Sequence, residues 1–218
     1  MRLHLKISPA KSLVPFNYQQ NLVGAFHKWA GMNSFHDGLS LYSLSWLSGG
    51  YGTKGGLNFE NGATWFISSP EAELLKRIIA GIQDDPAIAF SMRVEEIIIQ
   101  DTPGFSGYAK FFLASPVLIK RKIGEDVFHF SYNDDNVDEL MTLTLKSKMV
   151  KAGLTDETIK VTFDKTYHKP KTTLVTYKGI QNKANFCPVI LEGSPKAIAF
   201  AWDVGIGNST GIGFGAIR

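Results

Sequence analysis

Met1-Arg-Leu-His-Leu-Lys-Ile7 alternates polar and apolar residues, so Leu3, Leu5 and Ile7 fall on one face of a strand spanning 2–8. Pro15-Phe-Asn17 then opens a helix over 18–30, with Asn17 as its N-cap. Leu22, Phe26 and the pair Trp29 and Ala30 recur at helical spacing, and Gly31 ends the helix. Residues 39–47 and 63–68 are rich in aromatic and β-branched types and read as strands. They are joined by a turn-forming stretch, Gly49-Gly-Tyr-Gly52 and Gly55-Gly56. Ser69-Pro70 opens a second helix over 70–83 that buries Leu74, Leu75, Ile78 and Ile79, and 88–99 returns as a strand, strongest at 94–99. The order β-α-β-β-α-β is that of a ferredoxin-like unit.

The second half repeats the class of structure without repeating the sequence. Residues 111–113 and 117–120 are strands flanking Ser115-Pro116, and 128–132 extends a hairpin on which His129 alternates with Phe128 and Phe130 and faces solvent. Residues 137–152 form an amphipathic helix with Val137, Leu140 and Leu143 or Thr144 inward, while Lys146, Lys148 and Lys151 come late. Strands follow at 159–163, 172–178 and 186–191, then a short helix over 193–201, a glycine-rich run, and a last strand at 212–217. The fold class is therefore α+β, two tandem ferredoxin-like domains with antiparallel sheets, divided as 1–103 and 104–218.

The 218 residues are 44% hydrophobic and 12% aromatic, with mean hydropathy near zero, which is the composition of a folded globular chain with ample core. No run of 18 or more apolar residues exists, so no membrane partner is expected. Cys187 is the single cysteine, which points to a reducing cytoplasm. The net charge of +3 is unevenly spread. Residues 1–54 carry five Lys/Arg against one acid, 55–109 carry three against eight, and 146–171 carry seven lysines against three acids. Two basic stretches separated by an acidic one suit a polyanion partner on one face.

Gly205-Ile-Gly207-Asn-Ser-Thr-Gly211-Ile-Gly213-Phe-Gly215 places five glycines in eleven positions. Its backbone amides could line an anion-binding concavity, and a run so polar and glycine-rich is expected to stay out of the core. A dinucleotide fingerprint needs such glycines between a strand and a long helix, and a Walker loop needs Gly-Lys-Ser/Thr; neither context is present. The five histidines form no metal-ligand spacing, so no metal or other cofactor is expected. His27 lies near the end of the first helix and His36 in Asn33-Ser-Phe-His-Asp37 just beyond it. Two imidazoles facing one cleft could serve as general base and general acid. His168 sits in a basic loop with Lys165, Lys169 and Lys171, where it could touch phosphate. Lys120-Arg121-Lys122 forms a second basic site.

Four stretches resemble the CRISPR-associated repeat-processing endoribonucleases, the Cas6 family of the RAMP group. They are Met1–Ile7 with Pro15-Phe-Asn-Tyr-Gln-Gln-Asn-Leu-Val-Gly24, Ser34-Phe-His-Asp-Gly-Leu-Ser-Leu-Tyr-Ser43, Lys110-Phe-Phe-Leu-Ala-Ser-Pro-Val-Leu-Ile119, and the glycine run. The resemblance implies two ferredoxin-like domains that bind CRISPR repeat RNA and cut it once per repeat without a metal. The 2′-hydroxyl attacks the adjacent phosphorus and leaves a 2′,3′-cyclic phosphate and a 5′-hydroxyl. Residue by residue, His36 matches the family's histidine, and His27 falls where some members carry tyrosine and others a second histidine. Some members place a lysine shortly after the histidine; here Asp37-Gly38-Leu39 follows, so the cation must come from Lys28, Lys54 or elsewhere. RNA contacts are expected from the two basic sites and from Gly205, Gly207, Asn208, Ser209, Gly213 and Gly215. The resemblance also allows a non-cutting, RNA-binding subunit, with other effector-complex subunits or a second copy of the chain as partners.

Overall fold

The computed structural model describes residues 1–31 and 39–218. In the first half, β1 (Arg2–Ile7) lies in the middle of a four-stranded antiparallel sheet. It pairs with β5 (Ala63–Ser68) on one side and β6 (Val94–Gln100) on the other, while β2 (Ser43–Leu44) flanks β5. The order β2-β5-β1-β6 is that of the ferredoxin-like unit expected from the β-α-β-β-α-β succession of elements. Leu3 sits opposite Ile67 and Leu5 opposite Trp65, and all four are buried. Helices α1 (Gln19–Ala30) and α2 (Ala72–Asp84) cover that face with Leu22, Phe26, Trp29, Leu74, Leu75, Ile78 and Ile82.

Three details depart from the sequence reading. Asn17 does not cap α1; Tyr18 holds the N-cap position and no side chain accepts from the first turn. On α2, Ile82 joins the core and Ile79 is only partly covered. The strand expected over 39–47 shrinks to Ser43–Leu44, because the Trp46 amide turns away from β5 and the chain rejoins it only where Ser48 pairs with Thr64. Ser45 Oγ accepts the Phe66 amide at 2.8 Å, and the Trp46 amide donates to Ala114 in the other half at 3.0 Å. Residues 51–58 form their own hairpin of β3 (Tyr51–Thr53) and β4 (Gly56–Asn58).

The second half has a sheet ordered β10 (Lys160–Phe163), β13 (Val189–Glu192), β7 (Tyr108–Phe111). Residues 216–218 add a fourth edge. Phe112 and Arg218 exchange backbone hydrogen bonds of 3.0 and 2.8 Å, and Ala114 donates to Ala216 at 2.8 Å. The last strand predicted over 212–217 is thus cut to its final residues. A 3-10 turn occupies Thr210–Ile212, and positive φ at Gly213 and Gly215 breaks the extended backbone a ladder needs. The strand expected over 117–120 starts only at its end, in β8 (Lys120–Ile123), since Pro116 has no amide and Val117 and Leu118 make single bridges. β8 pairs with β9 (Asp126–His129), and β11 (Lys171–Tyr177) pairs with β12 (Ile180–Phe186), so two hairpins are appended to the sheet. His129 turns partly inward while Phe128 is exposed, the reverse of the predicted alternation.

Helix α3 (Val137–Lys151) buries Val137, Met141, Leu145 and Met149, and of Leu143 and Thr144 it turns Thr144 inward and leaves Leu143 exposed. Helix α4 (Pro195–Val204) runs three residues further than predicted and carries the strongest local signal in this half. Ser194 Oγ accepts the Ala197 amide at 3.2 Å, and Pro195 occupies the first turn. Urea unfolding of Ser194→Ala should show a loss of about 1 kcal/mol, and Ser194→Gly a loss of only a few tenths. Equal losses would mean that the hydroxyl does not cap the helix.

Candidate nucleic-acid interface

The C-terminal end of α1 carries His27, half-buried, its ring edge-on to Phe26 at 5.2 Å and 75°. Gly31 closes the helix at φ 78°, its amide donating to His27 O at 3.1 Å. His36 falls in 32–38, outside the described residues. The residues that flank that segment are anchored on both sides. Tyr42 stacks on Phe26, with centroids 4.5 Å apart and planes 22° off parallel. Leu39 O accepts the Lys151 ammonium of α3 at 2.7 Å. The exit from the histidine segment is therefore held by both halves of the molecule.

The predicted cations do not converge on one spot. Lys28 is committed to Asp85 at 2.7 Å and to Ala87 O at 2.5 Å, tying α1 to the end of α2. Lys54 is exposed at the β3–β4 turn. On β8, Arg121 is fixed by four acceptors: Lys120 O (2.9 Å), Asn208 Oδ1 (3.2 Å), Leu140 O (2.7 Å) and Thr144 Oγ1 (2.8 Å). Lys122 projects into solvent, and the Lys120 amide donates to the same Asn208 oxygen at 2.9 Å. Burial, and then the nearby Lys120 charge, push the His129 imidazole below its usual pKa, so this hairpin resists further positive charge. Lys165 approaches Asp138 at 3.6 Å, His168 leans on Tyr167, and Lys169 is exposed. Lys171 lies 5.3 Å above the Phe186 ring. The structure thus joins Lys120, Arg121 and Asn208, and leaves Lys28, Lys54 and the 165–171 loop apart from them.

The glycine run is inside the protein, which corrects the expectation that it stays out of the core. Ile206 is fully buried, Phe214 is 1% exposed, and Gly205, Gly207, Gly213 and Gly215 are all buried. Gly207 takes φ 79°, and a Cβ there would lie 2.5 Å from Leu118 O. Gly215 takes φ 64°, lies against the Ile206 backbone, and donates its amide to Pro116 O at 2.8 Å. Asn208 and Ser209 are only partly covered, so they are the part of the run that solvent reaches.

Sequence reasoning missed Lys148. It is 1% exposed, inside the apolar stripe of α3, and its ammonium donates to Val204 O (3.1 Å), Gly205 O (3.2 Å) and Thr210 Oγ1 (3.1 Å). Thr210 Oγ1 in turn donates to Tyr42 O at 2.8 Å. The only available signal was its spacing of three and seven residues from Leu145 and Met141. Arg2 is a second buried cation, sandwiched between Phe66 (3.8 Å) and Trp202 (3.6 Å) and donating to Trp202 O and Ile217 O. It lines a cavity of about 280 Å³ between the two halves, with His4, Trp46 and Arg218.

Two ferredoxin-like units meet at a buried glycine run, with basic hairpins at the surface. Residues 100–218 match the family model described as CRISPR associated protein Cas6, C-terminal, and the chain belongs to that family. Solved structures share the whole fold. One described as the characterization of a Cas6-related gene from Pyrococcus furiosus is 19% identical, covers 100% of this chain and 97% of its own, and has a TM-score of 0.86. Another, a CRISPR associated protein Cas6, is 19% identical over 100% and 98%, at 0.83. A third, described as an RAMP protein binding different RNA substrates, is 18% identical over 100% and 98%, at 0.82. No curated protein matches the sequence.

Burial pushes the Lys148 ammonium down from its ordinary value of 10.5 to about 7. Between these values the unfolded chain binds the extra proton, so this group makes stability rise with pH through that window. Denaturation of wild type and Lys148→Met on either side of the window should show that rise in the wild type and a flatter profile in the variant. Parallel profiles would mean that Lys148 keeps its proton throughout.

Proposed function

We propose that the protein binds CRISPR repeat RNA and cuts the precursor transcript within each repeat, with His36 and His27 as the acid/base pair. One imidazole takes the proton of the 2′-hydroxyl as its oxygen attacks phosphorus. The bond from phosphorus to the 5′-oxygen breaks, and the other imidazolium protonates that oxygen. The products are a 2′,3′-cyclic phosphate and a 5′-hydroxyl, and the chemistry calls for no metal. Holding the attacking and leaving oxygens in line supplies much of the remaining acceleration. The observation that carries this reading is the anchoring of both stems of the 32–38 segment beside α1: His27 stands on the last turns of that helix, and Tyr42 stacks on the adjacent Phe26. Membership of the Cas6 family and a similar structure described as a Cas6 product complex support it.

The second reading is an RNA-binding subunit that does not cut. It is favoured by Lys28, one of the two cations expected to stand near the histidines, whose ammonium is already committed to Asp85. Both readings predict salt-sensitive RNA binding. Cleavage of repeat RNA in EDTA separates them. His36→Ala and His27→Ala should each lose on the order of 10²–10⁴ in rate, the range for removal of a general acid or base. The wild-type product should carry a cyclic phosphate, and RNA with a 2′-deoxy nucleotide at the cut should remain intact. Wild-type rates from both variants would reject the assignment, and binding without any cut would leave the second reading.

A further inference from the structure

Cutting without a metal leaves the charge of the phosphorane to be met by a cation, and the histidine segment brings none of its own: no lysine or arginine occurs between Lys28 and Lys54. Lys28 is paired, and Lys54 stands on the separate β3–β4 hairpin. The described cation that touches the exit of the segment is Lys151. A lysine in the last turn of a helix is ordinarily explained by the helix dipole and the free carbonyls of its own helix. Lys151 instead reaches across to Leu39 O of the other half at 2.7 Å, and no carboxylate among the described residues pairs with it.

Leu39 also lines an open groove of about 430 Å³ together with Arg121, Leu143, Thr144, Ser147 and Asn208. Thr144, Ser147 and Lys151 follow one another at helical spacing along α3, roughly 10 Å from first to last. Arg121 is clamped at the Thr144 end, and Lys151 stands at the Leu39 end. A fixed guanidinium, the hydroxyls of Thr144 and Ser147, which donate to carbonyls of their own helix, and an ammonium therefore make a cationic strip that ends at Leu39. No ion pair among the described residues neutralises Arg121 either, and its four acceptors are neutral oxygens.

We propose that this strip of α3 is a phosphodiester-binding track for the RNA substrate, and that Lys151 is the catalytic cation that meets the scissile phosphate. The catalytic half of the proposal rests on the reading of His36 and His27 given above; the binding half does not. The probes are a single-stranded RNA of one CRISPR repeat, and the same RNA with a 2′-deoxy nucleotide at the cut for affinity measurements. In Lys151→Met, single-turnover cleavage should fall on the order of 10²–10³, the range for removing one charge-stabilising donor. The affinity should drop by tenfold or less, and the salt slope by about 0.7. Lys151→Arg should recover part of the rate. Ser147→Glu, which puts a carboxylate at an exposed position in the groove, should weaken binding on the order of tenfold.

Wild-type cleavage by Lys151→Met overturns the catalytic role, and unchanged RNA affinity in Ser147→Glu overturns the track. Amide hydrogen exchange over 39–44 guards against a merely structural effect. Exchange that speeds up in Lys151→Met and returns to normal in Lys151→Arg together with the rate would make Lys151 a holder of Leu39, which also overturns the catalytic role. If the wild type binds and does not cut, the histidine assignment fails, and the Ser147→Glu affinity alone decides the track.

Discussion

The backbone of residues 205–215 passes between two other stretches of backbone, and the meeting of the two halves is arranged around that passage. On one side its Asn208 and Gly215 amides donate to Leu118 O and Pro116 O, and on the other its 3-10 turn reaches Tyr42. Side chains would hold these strands apart, so glycine is required where carbonyls come within contact distance. The carbonyls freed at the end of α4 are then met by the Lys148 ammonium rather than by water. A buried cation is costly unless its donors are satisfied, and here each has a partner. Glycine run, Lys148 and Thr210 thus form one polar knot that the apolar cores on either side could not replace.

Much of the first unit was legible because its signals are local. The alternation in Met1–Ile7 and the 3.6-residue spacing of Leu22, Phe26 and Trp29 need no knowledge of partners. The shortened β2 was not legible, because Trp46 leaves the ladder for Ala114, 68 positions away. The glycine run failed in the same way: its composition resembles an exposed loop, and only contacts with 116–118 and Tyr42 make it core. Lys148 reads in sequence as an ordinary charge near a helix C-terminus, and only its contacts with Val204, Gly205 and Thr210 make it a buried one. The inversion of Phe128 and His129 has a comparable cause, since the β8–β9 hairpin is covered on one side by β12, not by the main sheet. Among the candidate site residues, the sequence could not say which cations were already paired, as Lys28 is with Asp85.

Charge follows the same division between local and distant causes. The lysine-rich 146–171 stretch looks like one basic block, yet the structure sends its members to different tasks. Lys148 is buried, Lys146 pairs with Glu157, Lys165 approaches Asp138, and Lys151 crosses to Leu39. A net excess over a stretch of sequence therefore measures the potential of a surface less well than the few cations that lack a carboxylate.

Arg2 has a consequence for how the chain is made. Its guanidinium is seated between Phe66 and Trp202 and bonded to Ile217, 215 positions downstream. At about 5–20 residues per second, synthesis takes roughly 10–40 s to deliver that last partner. During this interval the first unit can build its own core on the ribosome, while the Arg2 seat stays half-assembled and wet. Docking of the two units consequently waits until Trp202 and Ile217 have been made, well after the first core can form.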